Sequence, residues 1–290
     1  MKYDSISDIC KKAEEENRKI SELVLKDQAV LMEKNEDDLK HTMKTMLEVM
    51  RKSTKEGLDP DKRSTSGLSG GDAYKMEQKV KVGQTVSGPI IGKALAKALS
   101  TAENNACMGK IVAAPTAGSC GIIPAVLMTI AEERKLDDEQ LVMAMFTASA
   151  VGMVIANKAS ISGAEGGCQA ECGSASAMAA AALVELCGGT PEMVEHACAI
   201  SLKSVLGLVC DPVAGLVEIP CIKRNAVGAA NAFVAAELAL AGIESKIPVD
   251  EVIQAMKSVG DCIIPALKET ADGGLAATPT AKKYMKQIFG

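Results

Sequence analysis

Apolar residues recur every three to four positions along most of this chain, the spacing of a buried helical stripe. Ile6, Ile9, Cys10 and Ala13 begin one such stripe, and Ile20, Leu23 and Val24 continue it, which predicts helix from Ile6 to about Leu31. Asn35 caps a second helix carrying Leu39, Met43, Met46, Leu47 and Met50 on one face, and Gly57 stops it. Pro89 opens a helix through Asn105, and an apolar helix spans Ile122 to Glu133. Asp137 and Gln140 form a capping box for a buried helix ending near Ala156. An alanine-rich helix follows Gly173 and runs to Leu186, where Gly188-Gly189 ends it. Thr190 caps the next, with Pro191 at its first position, and that helix reaches about Leu208. A small-residue helix extends from Asn225 to Ala241, and Asp250 caps one with Val252, Ile253 and Met256 on one face. No alternating β-branched run interrupts these helices, and Ile111-Val112 is the one strand-like fragment. The pattern predicts an all-α fold, with a helical hairpin over residues 1–60 continuous with a larger multi-helix unit over 61–290.

Composition sharpens this picture. Of 290 residues 48% are hydrophobic, yet only 2% are aromatic and tryptophan is absent, so alanine, glycine and methionine must fill the interior. That suits closely packed helices better than a β-sandwich. The net charge of −5 comes with no basic block interleaved with aromatics, which excludes nucleic acid as a partner. The longest apolar run, Leu141 to Ala156, is shorter than the ~20 residues that span a bilayer, so a core helix is expected and no membrane association. The opening Met1-Lys2-Tyr3-Asp4 is not a secretory segment. Ten cysteines are then expected to be reduced thiols in a cytoplasmic protein.

Between the helices lie loops that could carry chemistry. Ser64 to Asp72 is rich in hydroxyls and glycine, and can aim backbone N–H groups and side-chain hydroxyls at an anion or serve as a plain linker. Tyr74 and Lys75 follow it. The Ala114–Gly121 loop places Thr116 and Ser119 before a helix, as an anion seat or as ordinary caps. Asn157 to Gly173 sets Cys168 beside paired glycines. In Cys210–Asn225 two cysteines bracket a segment broken by Pro212, Gly215 and Pro220, and Lys223, Arg224 and Asn225 follow the second.

Cys168, Cys210 and Cys221 therefore sit in loops, free to converge, whereas the other seven cysteines fall at helical or alanine-rich positions, Cys120 and Cys172 ambiguously. Three thiolates are one short of a closed structural zinc or electron-transfer cluster. A cluster held by three would keep one iron open as a Lewis acid.

At these residues the chain resembles a known family. Ser-Gly-Gly-Asp-Ala at 69–73, Ala-Pro-Thr-Ala-Gly-Ser at 114–119, Ile-Ser-Gly-Ala-Glu-Gly-Gly-Cys-Gln-Ala-Glu at 161–171 and the Cys210–Asn225 stretch are similar to the iron–sulfur-dependent L-serine dehydratases, specifically the α subunit of the two-subunit form. The resemblance covers nearly the whole chain. It implies a [4Fe-4S] cluster on Cys168, Cys210 and Cys221, no pyridoxal phosphate, and conversion of L-serine to pyruvate and ammonia. Ser69, Gly70, Gly71, Thr116 and Ser119 are then the residues expected to grip the substrate, with Arg224 and Asn225 orienting its carboxylate or donating to cluster sulfur. Lys75 and Lys158 are candidate bases if desolvation lowers their pKa, and a partner chain could supply the base instead. His41 and His196 lie on helices and are expected to be structural.

Two departures from the single-chain members matter. The N-terminal domain of those members is missing, which implies a separate β subunit and a hetero-oligomer. The chain ends Ile288-Phe289-Gly290, without the C-terminal cysteine that reaches the open iron in some relatives. Rival readings are a pyridoxal-phosphate enzyme with Lys158 as Schiff base, an electron-transfer protein with Cys172 as fourth ligand, and an iron–sulfur lyase acting on L-cysteine.

Overall fold

The computed structural model describes residues 3–290. Among the described residues it has no strand, only one isolated bridge between Cys210 and Lys268. Thirteen helices follow in order: α1 Ile6–Glu15, α2 Ile20–Leu31, α3 Glu36–Glu56, α4 Asp72–Lys81, α5 Gly88–Ala106, α6 Ile122–Arg134, α7 Asp138–Lys158, α8 Gly163–Gly166, α9 Ser174–Leu186, α10 Pro191–Lys203, α11 Cys221–Leu240, α12 Val249–Cys262 and α13 Pro279–Phe289. The fold is all-α, as the periodicity predicts.

Helix α9 is the axis of the molecule. Every residue from Ser174 to Val184 is buried, and α6, α7, α10 and α11 pack around it. Its small side chains let neighbouring backbones come close, and the gain is collective dispersion rather than large apolar area per residue. The contact with α7 shows how close: a Cβ added at Gly152 would stand 2.7 Å from Met178 Cε. Helix α7 is long and apolar enough to cross a membrane, but 67% of its apolar window is buried inside this fold. Its charged N-terminal turn carries the Asp137–Gln140 capping box that the sequence predicts.

The N-terminal helices wrap this axis. Helix α1 packs on α10 and α12, α2 on α7, and α3 on α5, α6 and α7. Their buried residues, from Tyr3 to Met50, are continuous with the core around α9. The helix expected from Ile6 to Leu31 is two helices, because the polar stretch Glu16–Lys19 turns the chain and Asn17 takes a left-handed φ of 50°. Asp250 also differs from expectation. Helix α12 begins two residues earlier than that cap implies, and the Asp250 carboxylate instead caps α1, accepting from the amides of Ile6 (2.9 Å) and Ser7 (3.1 Å).

Likewise α10 stops at Lys203, five residues short of the expected Leu208, and turns deliver the chain to Cys210. Helix α11 starts earlier than its pattern suggests, at Cys221 itself. Lys223, Arg224 and Asn225 therefore project from a first helical turn rather than from a loop.

Candidate active site

The segment from Cys210 to Asn225 is the hub to which the Ser64–Asp72 loop, the Ala114–Gly121 loop and the Gly273–Ala277 turn are fastened, each by a buried polar side chain. Glu218 reaches the Ser64–Asp72 loop, accepting from Ser64 Oγ at 2.7 Å and Ser66 Oγ at 2.9 Å. Ser64 Oγ in turn accepts from the Ser69 amide at 3.2 Å. Lys223 Nζ meets Asp72 Oδ2 at 2.6 Å on the same loop. Asn225 holds the Ala114–Gly121 loop: its Oδ1 accepts from the Gly121 amide, and its Nδ2 donates to the carbonyls of Gly118 and Cys221. Asp211 holds the Gly273–Ala277 turn, accepting from the Leu275 amide at 2.8 Å. The backbone of Cys210 itself exchanges hydrogen bonds with Leu267 and Glu269.

Cys168, Cys210 and Cys221 are all buried at the centre of these loops. Cys168 stands immediately before a π-helical turn over Gln169–Gly173, and Cys221 is the first residue of α11. Their charges feel one another. Burial, then Glu171 and Cys168, push the Cys210 thiol far up, and burial with Cys168 and Glu171 pushes Cys221 up to about 12. Cys168 goes the other way. The hydrogen bond it shares with Cys172 and the charge of Arg224 lower its pKa against the opposing effect of burial. Arg224 is itself fixed by Val209 O at 2.7 Å and Asp211 Oδ1 at 2.9 Å. Among the described residues, no three His, Cys, Asp or Glu side chains close on one point as ligands of a single metal ion.

Glu171 is the group the sequence reading passed over. Thr116 Oγ1 donates to its Oε1 at 2.9 Å, and Ser119 Oγ lies 3.1 Å from that same hydroxyl. Burial raises its pKa above the ordinary carboxylate value. Its other oxygen packs against Gly163, where an added Cβ would be 2.7 Å from Glu171 Oε2 and 2.9 Å from Cys210 Sγ. A carboxylate and a thiol thus meet at one glycine. Glu171 lay in plain view within the quoted motif, three residues past Cys168, but only the fold shows that it turns inward.

The Ser64–Asp72 loop ends in a tight approach. Gly70 (φ 128°) and Gly71 (φ 81°) are left-handed, and a Cβ on Gly70 would collide with the Lys62 carbonyl at 2.1 Å. Ser69 is 5% exposed, and its hydroxyl has no hydrogen-bond partner among the described residues. The α4 amides that might have formed an anion seat are already used: Glu103 accepts from Asp72 N at 2.9 Å and Ala73 N at 3.2 Å. The two lysines lie apart from this centre. Lys75 is 77% exposed and paired with Asp72, and Lys158 is 46% exposed and paired with Asp4. Both amines are open to solvent and held by a carboxylate.

Residues 15–276 match the family described as serine dehydratase alpha chain. The chain is 50% identical to a probable L-serine dehydratase, alpha chain, of Bacillus subtilis (strain 168), over 99% of its own length and 96% of the relative's. It is 46% identical to the L-serine dehydratase, alpha chain, of Peptoniphilus asaccharolyticus, over 98% and 96%. Against L-serine dehydratase 2 of Escherichia coli (strain K12) the identity is 38%, over 94% of this chain but 61% of that protein. Four loops, three buried thiols and a full-length match converge, and the chain belongs to the serine dehydratase alpha chain family.

Proposed function

We propose that this chain converts L-serine to pyruvate and ammonia on a [4Fe-4S] cluster held by Cys168, Cys210 and Cys221, in a complex with a separate β chain. One observation carries the reading: the Ser64–Asp72 and Ala114–Gly121 loops are fastened by buried hydrogen bonds to the segment that bears Cys210 and Cys221, and Cys168, Cys210 and Cys221 are all buried. The donor set suits such a cluster. Each thiolate of a four-iron cube bonds a different iron, so the sulfurs need not meet at one point. Arg224 supplies positive charge beside Cys168, and the missing side chain of Gly163 lets the backbone approach Cys210 Sγ closely. When bound, the cluster supplies an iron without a protein ligand, a Lewis acid that eases departure of the serine hydroxyl.

The chain's own residues do the rest. Ser69 Oγ, buried without a partner among the described residues, donates to the substrate carboxylate, with the Gly70-Gly71 backbone closing on it. Arg224 is committed to Val209 and Asp211, so it sets the charge at Cys168 rather than clamping substrate. Asn225 likewise spends its polar atoms on backbone and positions the Thr116–Ser119 loop. Glu171 takes the α-proton at Oε2, while Thr116 fixes its other oxygen. General base catalysis of this kind contributes roughly 10²–10⁴-fold. Loss of hydroxide then leaves aminoacrylate, whose imine tautomer hydrolyses to the products. A reducing compartment such as the cytoplasm keeps the three thiols available.

The β chain is inferred from the alpha-chain relatives and from the extra length of the Escherichia coli protein. Anaerobic reconstitution with iron and sulfide, followed by pyruvate assay with serine, with and without a β chain, tests the activity. Serine in place of Cys168, Cys210 or Cys221 should each remove both bound iron and turnover. Iron and turnover persisting in all three variants would end the proposal.

A further inference from the structure

Among the described residues there is one sulfur–sulfur hydrogen bond: Cys168 Sγ to Cys172 Sγ, at 3.4 Å. Both thiols are buried, at 3% and 4% exposure, and the π-helical turn Gln169–Gly173 that holds Cys172 begins directly after Cys168. Such widened turns recur at functional sites. The cluster reading uses Cys168 and gives Cys172 nothing to do.

We propose that Cys168 and Cys172 form a reversible disulfide when the cluster is absent, a modification site that competes directly with cluster binding. Closing the bond requires the sulfurs to approach from 3.4 Å to about 2.05 Å, a movement within reach of side-chain rotation on one turn. The oxidant is a hydroperoxide such as hydrogen peroxide. One thiol attacks the O–O bond, giving a sulfenic acid and water. The second thiol then attacks that sulfur, the S–S bond forms, and a second water leaves with the oxygen and both remaining protons. Two thiols and one peroxide thus yield one disulfide and two waters, with two electrons passing from sulfur to oxygen.

The consequence follows from the shared atom. A sulfur in the disulfide is not a ligand, so the oxidised chain cannot take up a cluster through Cys168 until a thiol reductant reopens it. Cys172 also intercepts the sulfenic acid before it advances to the sulfinic state, which thiols do not reverse. The neighbouring resolving thiol is therefore a safeguard for Cys168 whenever iron is lost.

The inference rests on Cys168 being a ligand, but its first test needs no cluster. The full chain, stripped of iron and treated with hydrogen peroxide, is mapped by non-reducing peptide mass spectrometry. A Cys168–Cys172 linkage, lost on adding dithiothreitol, is expected as the main product. No linkage, or one joining Cys168 chiefly to Cys210 or Cys221, overturns the proposal. In the second arm, peroxide-treated chain is reduced and reconstituted. Wild type should recover its iron content, whereas Cys172→Ala should load iron normally before oxidation and lose most of that capacity afterwards, with sulfinic acid at Cys168. Equal recovery in the two chains also overturns it. If instead Cys168→Ser still binds a full cluster, it is the ligand reading that has failed, and the peptide map stands separately.

Discussion

The side chain of Asn225 is bonded to the backbone of Gly121, its Oδ1 accepting from that amide at 2.8 Å across the junction of α11 and α6. The same side chain donates to Gly118 O at 2.7 Å, so a single amide group sets the distance between the Cys221 helix and the Thr116–Ser119 loop. Asn225 is 1% exposed, and water cannot substitute for it.

Replacing it by aspartate keeps the acceptor and removes both donors. The carbonyl of Gly118 is then buried without its donor and faces a negative charge, at a cost of about 1–3 kcal/mol for the lost partner alone. Asn225→Asp should lower the urea unfolding free energy by at least that much and reduce iron uptake in parallel. Unchanged stability would mean that the loop is held some other way.

Gly163 gives a sharper separation of fold from chemistry. Its φ lies outside the left-handed region, so alanine fits the backbone, but the new methyl would press on Glu171 Oε2 and Cys210 Sγ. One of the two must move. Gly163→Ala should keep its helical circular dichroism and lose roughly 10²-fold in serine turnover, the cost of displacing a reacting group by about 1 Å. Wild-type turnover in this variant would place the reaction away from Glu171 and Cys210.

How much of this could be read in advance differs by type of interaction. Caps and stripes are local, and Asn35, Thr190 and the Asp137–Gln140 box are found where the spacing puts them. Start and stop points slipped where a turn is set by tertiary contact, as at Cys221, which opens α11 behind Pro220, and at Lys203, where α10 ends early. The loops that carry the site stand out because glycine, proline and hydroxyl residues mark them. What holds those loops together does not. Glu218, Asn225, Asp211 and Glu171 each bond a residue at least 55 positions away. A carboxylate's sequence neighbours do not say which distant loop it will reach. Lys75 and Lys158 show the converse: basic residues beside the motifs, which the fold leaves in solvent.

Glu218 links the cysteine hub to the loop proposed to grip substrate. Its carboxylate accepts charge-assisted hydrogen bonds from Ser64 and Ser66, and Ser64 Oγ in turn accepts from the Ser69 amide. Glu218→Ala releases this chain of contacts without touching a thiol. The Michaelis constant for serine should rise about tenfold, equivalent to ~1.4 kcal/mol of binding, with a smaller fall in kcat and no loss of iron. Loss of iron with an unchanged Michaelis constant would show that Glu218 supports the cysteines instead.

The last prediction concerns pH and lies far from the thiols. Glu185, near the end of α9, accepts from Thr147 Oγ1 at 2.8 Å and from the Ser21 amide at 3.2 Å, joining α9 to α7 and α2. Burial raises its pKa above the ordinary 4.5, although Ser21 and Thr147 pull the other way. The folded chain therefore holds this proton more tightly than the unfolded chain does. Its contribution to stability is complete below pH 4.5 and is lost as pH rises through the raised folded value. Glutamine keeps an acceptor oxygen for Thr147 and Ser21 and never ionises. Glu185→Gln should thus gain stability relative to wild type as pH rises from 4.5 through that window, and the difference should level off above it. Urea unfolding at stepped pH, under reductant, reads this directly. A wild type that instead gains on the variant with rising pH would show that the ionised carboxylate is the form its neighbours stabilise.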